Sequence, residues 1–128
     1  MFRGIEHIGL MAEDTEKLAS WYEKLFNFKV VYKNKKTPPT FFVTGESGSM
    51  IEIMPYKAET KILSGNERRY THLAIEVDDF DQAYTHLKNA GVNFCGEPKE
   101  ASGGVKVVFF LDPEENQVQL IYRPNPLR

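Results

Sequence analysis

Two short segments with alternating apolar and polar residues each contain a histidine near their start. The apolar positions alternate as in a β-strand with one buried face: Ile8 and Leu10 in residues 6–10, and Leu73, Ile75 and Val77 in residues 71–77. His7 and His72 lie on the opposite face, each two residues before a very small residue, Gly9 or Ala74. So small a neighbour predicts open space beside each imidazole, where a ligand or metal ion could bind.

The remaining pattern predicts two modules with the same order of elements. In the first, strand 4–11 is followed by helix 14–26 and by strands 28–32, 40–44 and 49–54. In the second, strand 71–77 is followed by helix 79–90 and by strands 92–95, 105–111 and 118–122. Asp14 and Asp79 are suited to cap the two helices, whose apolar residues recur at helical spacing. The order βαβββ therefore occurs twice.

The register of the repeat indicates a duplication. A shift of 65 residues takes His7 to His72, and a shift of 67 takes Glu52 to Gln119. Residues 57–69 are polar and aperiodic, and we interpret them as a linker between module one (4–56) and module two (70–123). We predict a single α+β domain, residues 1–128, in which both modules form a curved mixed sheet around a cleft.

Four polar residues fall at equivalent places in the two modules. His7 and His72 lie early in the first strands, and Glu52 and Gln119 lie in the last ones. If the modules share one cleft, two imidazoles, a carboxylate and an amide oxygen converge there. Such a set suits a divalent ion such as Zn²⁺, Ni²⁺, Co²⁺, Mn²⁺ or Fe²⁺. The alternative is that these residues only form ordinary hydrogen bonds within the two strands.

Composition excludes several other classes of function. The formal net charge is −2 and the pI about 5.9, which argues against a nucleic-acid-binding surface. No stretch approaches a membrane span or a signal peptide, so we expect a cytoplasmic protein without a membrane partner. The single cysteine, Cys95, excludes an intrachain disulfide and lies in an apolar run, where we expect a packed side chain.

The chain resembles the vicinal oxygen chelate superfamily, which includes glyoxalase I, bleomycin-resistance proteins, fosfomycin-resistance enzymes and extradiol dioxygenases. The resemblance extends from Ile5 to Arg123. It is carried by the first helix with Trp21-Tyr22 and by four further runs: Glu6-His7-Ile8-Gly9-Leu10, Ile51-Glu52-Ile53, His72-Leu73-Ala74 and Asp112-Pro113-Glu114-Glu115-Asn116 with the strand after it. It implies that His7, Glu52, His72 and Gln119 occupy the four metal-ligand positions, and that the metal binds vicinal oxygens of a small substrate.

A glutamate at position 52 looks more like glyoxalase I, a lyase that isomerises a hemithioacetal, than like the dioxygenases. Two residues depart from that pattern. Gln119 replaces a glutamate that serves as base, so we expect Glu52 to be the catalytic base as well as a ligand. Glu115 replaces a turn glycine, and we expect Asn116 to supply the left-handed conformation there.

Three further residues are weaker candidates for substrate binding. Two of the predicted strands each contain two consecutive phenylalanines, of which we expect one to face the cleft, with Phe41 and Phe109 as candidates. Arg123 shares a strand face with Gln119. Two other functions stay open: a metal-free protein of the bleomycin-resistance type that sequesters a ligand, and an iron-dependent dioxygenase. Family members of this length often form two-fold dimers, so we expect a homodimer whose site lies within one chain or between two.

Overall fold

A computed structural model describes residues 1–56 and 72–127. The chain divides into two compact units, Met1–Glu67 and Arg68–Arg128. The point of division lies in the predicted linker, residues 57–69, which is outside the described residues, as is Thr71 at the start of the predicted fifth strand. Each unit is described by itself.

The first unit contains one helix and a four-stranded mixed sheet. Its elements are β1 (His7–Ala12), α1 (Thr15–Phe26), β2 (Lys29–Lys33), β3 (Phe41–Thr44) and β4 (Met50–Pro55). The strands lie in the order β1-β4-β3-β2, with β1 parallel to β4 and the other pairs antiparallel. A parallel pair needs a long connection between its strands. Here the chain between β1 and β4 contains the helix, and β1 with β4 is the one parallel pair of this unit.

The first helix begins and ends where its sequence predicts. The Asp14 carboxylate accepts a hydrogen bond from the backbone N–H of Lys17 at 2.9 Å, which satisfies one of the free donors of the first turn. Asn27 ends the helix in the left-handed conformation, with φ of 56°. Leu18 and Tyr22 are fully buried and carry the apolar stripe of α1 onto the sheet.

The second unit repeats this order with one insertion. Its elements are β5 (Leu73–Glu76), α2 (Phe80–Asn89), β6 (Asn93–Phe94), β7 (Lys99–Glu100), a short 3₁₀ turn (Ser102–Gly104), β8 (Lys106–Leu111) and β9 (Gln117–Tyr122). The strands lie in the order β5-β9-β8-β6, and β5 is parallel to β9. Asp79 caps α2 through the Gln82 N–H, and Gly91 follows the helix with φ of 78°.

The α+β class and the tandem βαβββ order are therefore confirmed, with two refinements. The strands form two hydrogen-bonded sheets, one in each unit. The predicted loop 96–104 contains β7, which pairs with β8 through Lys99 and Val107. Both residues of β7 are exposed, so the sequence carries no apolar alternation that would reveal this strand.

Each sheet has one buried face and one partly open face. Buried residues alternate along the strands: Leu10, Val43, Ile51 and Ile53 in the first unit, and Val108, Phe110, Val118 and Leu120 in the second. They form the cores with the helices. Cys95, predicted to be packed, is exposed instead, because it follows the last residue of the short strand β6. Within the described residues, neither helix is of a length and hydropathy that could cross a membrane.

The turn between β8 and β9 is built on a buried aspartate. Asp112 accepts hydrogen bonds from the backbone N–H groups of Glu114 and Asn116, both at 2.9 Å, and from the Asn116 side chain at 2.8 Å. The left-handed residue of this turn is Glu115, with φ of 65°. The expectation that Asn116 would adopt this conformation is wrong, because its backbone and side chain are held by Asp112.

Glu115 should therefore be a site where glycine stabilises the protein. A left-handed conformation costs a residue with a Cβ about 1–2 kcal/mol, and glycine avoids this cost. Part of the stability gained is lost again, because glycine makes the unfolded chain more flexible. We expect Glu115→Gly to raise the free energy of unfolding by about 0.5–1 kcal/mol in urea denaturation. Asn27→Gly is the matched control. Since asparagine tolerates this conformation, its gain should be smaller, and equal gains would contradict the interpretation.

Candidate functional site

The first unit places a glycine, a carboxylate and an aromatic ring side by side on the open face of its sheet. Gly9 pairs with Glu52 across the parallel strands, and Glu52 pairs with Phe42 across the antiparallel ones. Paired residues of neighbouring strands point to the same face. His7 lies on this face too, two residues before Gly9. The predicted alternation of His7 and Gly9 opposite Ile8 and Leu10 is thus the one observed.

His7 contacts three of its neighbours. Its Nδ1 lies 2.7 Å from a carboxylate oxygen of Glu6, and its Nε2 lies 3.5 Å from Oε1 of Glu52. The ring meets Phe42 edge to face, with the centroids 5.2 Å apart and an interplanar angle of 80°. In neutral His7, an Nδ1–H donated to Glu6 leaves the Nε2 lone pair directed at Glu52.

This pair of donors fits a divalent ion. Two lone pairs that face each other, here 3.5 Å apart, cannot form a hydrogen bond, because neither atom carries a proton to donate. Ligands that each lie about 2.1 Å from one ion, at the tetrahedral angle, are themselves about 3.4 Å apart. The separation of His7 Nε2 and Glu52 Oε1 therefore matches one edge of a coordination tetrahedron.

Gly9 provides room for the Met54 side chain rather than an empty pocket. A Cβ at this position would lie 2.7 Å from the terminal methyl of Met54, which is too close without a shift, and 3.7 Å from Oε1 of Glu52, which is an ordinary contact. The open space predicted beside the His7 imidazole is filled by these two side chains. Glycine at position 9 thus allows the Met54 side chain to lie against β1, beside Glu52.

The second unit repeats the arrangement with changed side chains. Ala74 pairs with Gln119, and Gln119 pairs with Phe109. His72 meets Phe109 edge to face, with the centroids 5.2 Å apart and an interplanar angle of 86°. The row of Gly9, Glu52 and Phe42 therefore has its equivalent in Ala74, Gln119 and Phe109, in the same strand positions.

Each unit by itself supplies a pair of donors. Within the described residues, 1–56 and 72–127, no three histidine, cysteine, aspartate or glutamate side chains lie close enough together to hold a metal ion. Of the four predicted ligands, His7 and Glu52 lie 3.5 Å apart, and the strand register places His72 and Gln119 on one face of the second sheet. Their convergence in one site stays a prediction.

The aromatic residue beside His7 is Phe42, not Phe41. Phe41 is 7% exposed and belongs to the core face of β3, where it pairs with Ile53. The alternation of a strand could not say which of the two phenylalanines faces the helix. Phe109 lies on the face expected for it, against His72. Arg123 is half-buried and borders a pocket in the second unit.

Glu6 is the site residue that the pattern missed. Strict alternation places its side chain on the face opposite His7, yet residue 6 precedes β1 and its carboxylate turns back to Nδ1. A carboxylate next to a histidine is the only sequence signal, and it is too common to be specific.

The sequence of the chain matches that of a known group of proteins. Residues 4–120 match the family model of the Glyoxalase/Bleomycin resistance protein/Dioxygenase superfamily. The chain belongs to this superfamily. The predicted resemblance is therefore confirmed over nearly its whole length.

Curated relatives within the superfamily differ in activity. The chain is 26% identical over 127 residues to fosfomycin resistance protein FosX of Listeria innocua, with 94% of this chain and 90% of FosX covered. It is 27% identical over 124 residues to a probable lactoylglutathione lyase of Vibrio cholerae, with 91% and 88% covered.

Solved structures agree on the fold. The crystal structure of FosX from Listeria monocytogenes, in complex with Mn(II) and sulfate, superimposes with a TM-score of 0.73 at 24% identity, covering 96% of this chain and 92% of that one. TioX from Micromonospora sp. reaches a TM-score of 0.74 at only 11% identity, covering 94% and 99%. At these identities the likeness establishes the fold alone.

The opposite faces of β3 give a matched pair of variants. Phe41→Ala removes a ring from the core and should lower the free energy of unfolding by about 3 kcal/mol or more. Phe42→Ala removes a half-buried ring beside His7 and should cost less than about 1.5 kcal/mol. Urea denaturation of both variants measures the difference, and a larger loss for Phe42→Ala would contradict the assignment of the two faces.

Proposed function

We propose that this protein is a divalent-metal-dependent lyase or isomerase of the glyoxalase type. Its substrate is a small molecule with two vicinal oxygens, such as a hemithioacetal. The observation that carries the proposal is the donor pair of His7 and Glu52, whose 3.5 Å separation suits two ligands of one ion. The equivalent strand positions of His72 and Gln119 supply the second pair.

Each residue has a distinct role in this proposal. His7, Glu52, His72 and Gln119 hold the ion, which is Zn²⁺, Ni²⁺, Co²⁺, Mn²⁺ or Fe²⁺. Glu6 fixes the tautomer of His7, as outer-shell carboxylates do for metal-binding histidines. Phe42 and Phe109 form apolar walls against the two imidazoles.

Glu52 is also the proposed base. The bound ion supplies Lewis-acid stabilisation of negative charge on the vicinal oxygens. The Glu52 carboxylate takes the proton from the carbon that carries the hydroxyl group and returns it to the neighbouring carbon. No atom or electron is gained or lost, so the product is an isomer of the substrate. With glutamine at position 119, Glu52 is the one carboxylate among the four proposed ligands.

Metal uptake tests the donor set. Wild-type protein purified without chelator should bind about one equivalent per chain of at least one of these ions, measured by elemental analysis. His7→Ala and His72→Ala should each lose it. His86→Ala removes the third histidine, which is exposed on helix α2, and should keep the metal. Uptake of none of the five ions, or equal loss in His86→Ala, would overturn the proposal.

Co-expression of the two single variants tests the proposed homodimer. If His7 and His72 of one site come from different chains, mixed dimers regain one intact site, which restores about a quarter of all sites when the chains pair at random. If both histidines come from one chain, nothing is restored. Light scattering of the same samples measures the oligomeric state, and a monomer would contradict the dimer.

Gln119 offers a gain-of-function test. A carboxylate is a stronger ligand for a divalent ion than an amide oxygen. We expect Gln119→Glu to raise metal affinity at least about tenfold in calorimetric titration, because the change adds charge directly to the site. Gln117→Glu adds the same charge two residues earlier on the same strand face and should have little effect. Equal gains in both variants would indicate only general electrostatic attraction.

Two other functions have particular support and separate by assay. The similarity to FosX supports a different reaction, opening of the fosfomycin epoxide, with the metal ion held by the same four proposed ligands. The amide at position 119, a weaker ligand than a carboxylate, supports a metal-free protein that sequesters a ligand between Phe42 and Phe109. Metal-loaded protein should turn over the hemithioacetal of methylglyoxal and glutathione. Turnover of fosfomycin alone would favour the first alternative, and absence of metal binding the second. We place the protein in the cytoplasm, where this thiol substrate occurs, and fractionation of its native cells checks that placement.

A further inference from the structure

Lysines are concentrated in one segment of the first unit. Residues 24–45 contain five lysines and no aspartate or glutamate. Because the formal net charge of the whole chain is −2, all other residues together carry −7. Four of these lysines lie on β2 or in the loop after it, and all four are exposed: Lys29, Lys33, Lys35 and Lys36. Together with β2 they form a basic edge on an otherwise acidic protein.

The strand of this basic edge is hydrogen-bonded on one side. In the order β1-β4-β3-β2, its neighbour among the described strands is β3. Just beyond the strand, the Asn34 N–H donates to the Thr40 carbonyl at 3.1 Å. Bonded and non-bonded pairs alternate along an antiparallel ladder, so the next pair, Lys33 with Phe41, directs its Lys33 N–H and C=O away from β3. The outer side of β2 thus offers backbone donors and acceptors to an added strand.

The two lysines of β2 lie at its ends and on opposite faces of the sheet. Lys29 belongs to the open face, whereas Lys33 pairs with Phe41 on the core face. The Lys33 Nζ lies 5.5 Å from the centroid of the Phe41 ring, a cation–π contact that holds the charge at the edge of the sheet. Between the lysines, Val31 and Tyr32 are each more than half exposed. The edge therefore combines charges at both ends with apolar surface in the middle.

The loop that carries the other two lysines is held in place by side-chain hydrogen bonds. Asn34 Oδ1 accepts from the backbone N–H groups of Lys36 at 3.2 Å and Thr40 at 2.9 Å. The buried Thr15 hydroxyl donates to the Pro39 carbonyl at 2.7 Å, which ties the loop to the start of α1. A loop fixed in this way loses little conformational freedom when a partner binds.

We propose that the basic edge binds an extended acidic segment of a partner protein as an added strand beside β2. Backbone hydrogen bonds to β2 hold the segment, and acidic side chains at its ends pair with lysines on both faces. Charge excludes a second copy of this chain as the occupant, because two adjacent β2 strands would place lysine beside lysine. The edge lies across the sheet from β1, which carries His7, so the inference is independent of the proposed function.

Titration of a designed peptide into the ¹⁵N-labelled full chain tests strand addition. The probe is the capped heptapeptide Glu-Glu-Val-Thr-Val-Glu-Glu, which has acids at both ends, β-branched residues between them and enough length to span the five residues of β2. At saturation it should shift the Lys33 amide signal and slow the hydrogen exchange of that amide at least about tenfold. Absence of binding, or shifts confined to other strands, would overturn the proposal.

Control ligands separate strand addition from general electrostatic attraction. A peptide with lysines in place of the glutamates should not bind, because it repels the basic edge. A peptide with prolines in place of the three central residues keeps the charges, loses the backbone donors, and should bind at least about fivefold more weakly. Equal binding by the lysine peptide, the proline peptide or a single-stranded oligothymidylate of equal charge would overturn the proposal.

Charge-reversal variants assign the binding to β2. Lys29→Glu combined with Lys33→Glu should weaken binding of the heptapeptide at least about tenfold, because two attractive charges become repulsive. Lys17→Glu combined with Lys99→Glu makes the same change in net charge at exposed positions outside the basic edge, and should weaken it about twofold or less. Lys99 is a strict control, since it lies on β7, another exposed short strand. Equal losses in the two double variants would overturn the proposal.

Discussion

The candidate site depends on the pairing of two parallel strands in each unit. The first strand of a module is joined to the last by a helix and two further strands in the first unit, and by a helix and three in the second, yet it pairs directly with that last strand. This pairing places Gly9 beside Glu52 and Ala74 beside Gln119. A slip of one residue would turn every side chain of the strand to the other face, so the buried alternation of the core also fixes which polar side chains meet on the open face.

The same constraint explains why the repeat is visible in the candidate site as well as in the fold. Each module forms its own core from one helix and one sheet, and each presents a histidine beside a phenylalanine. The centroid distance is 5.2 Å in both. The copies differ in the middle residue of the row, which is a carboxylate, Glu52, in the first and an amide, Gln119, in the second. In the proposed enzyme this asymmetry assigns metal binding to both halves and proton transfer to one.

Most of the fold could be predicted because its signals are local. Capping aspartates, helical spacing and strand alternation predicted most element ends to within two residues, and the histidine segments revealed the repeat. The exception is β1, which begins at His7 rather than at residue 4. The sequence could not decide between Phe41 and Phe42, because alternation defines two faces without saying which faces the helix. It also missed Glu6, whose side chain departs from the alternation just before β1, and β7, whose two residues are exposed. The left-handed residue of the last turn was misassigned to Asn116 because the turn glycine is absent and Asp112 had not been recognised as its organiser.

The exposure of Cys95 has a practical consequence. Its backbone N–H donates to the carbonyl of Phe109 at 2.9 Å, so Cys95 lies opposite Phe109 across the two strands. Because it is the single cysteine of the chain, a maleimide dye or spin label would attach at one position only. The label would report on ligands and paramagnetic ions near His72, with no mutation needed to install it. In the first unit the place beside Phe42 is taken by Tyr32, so the native sequence makes the two halves of the repeat distinguishable by spectroscopy.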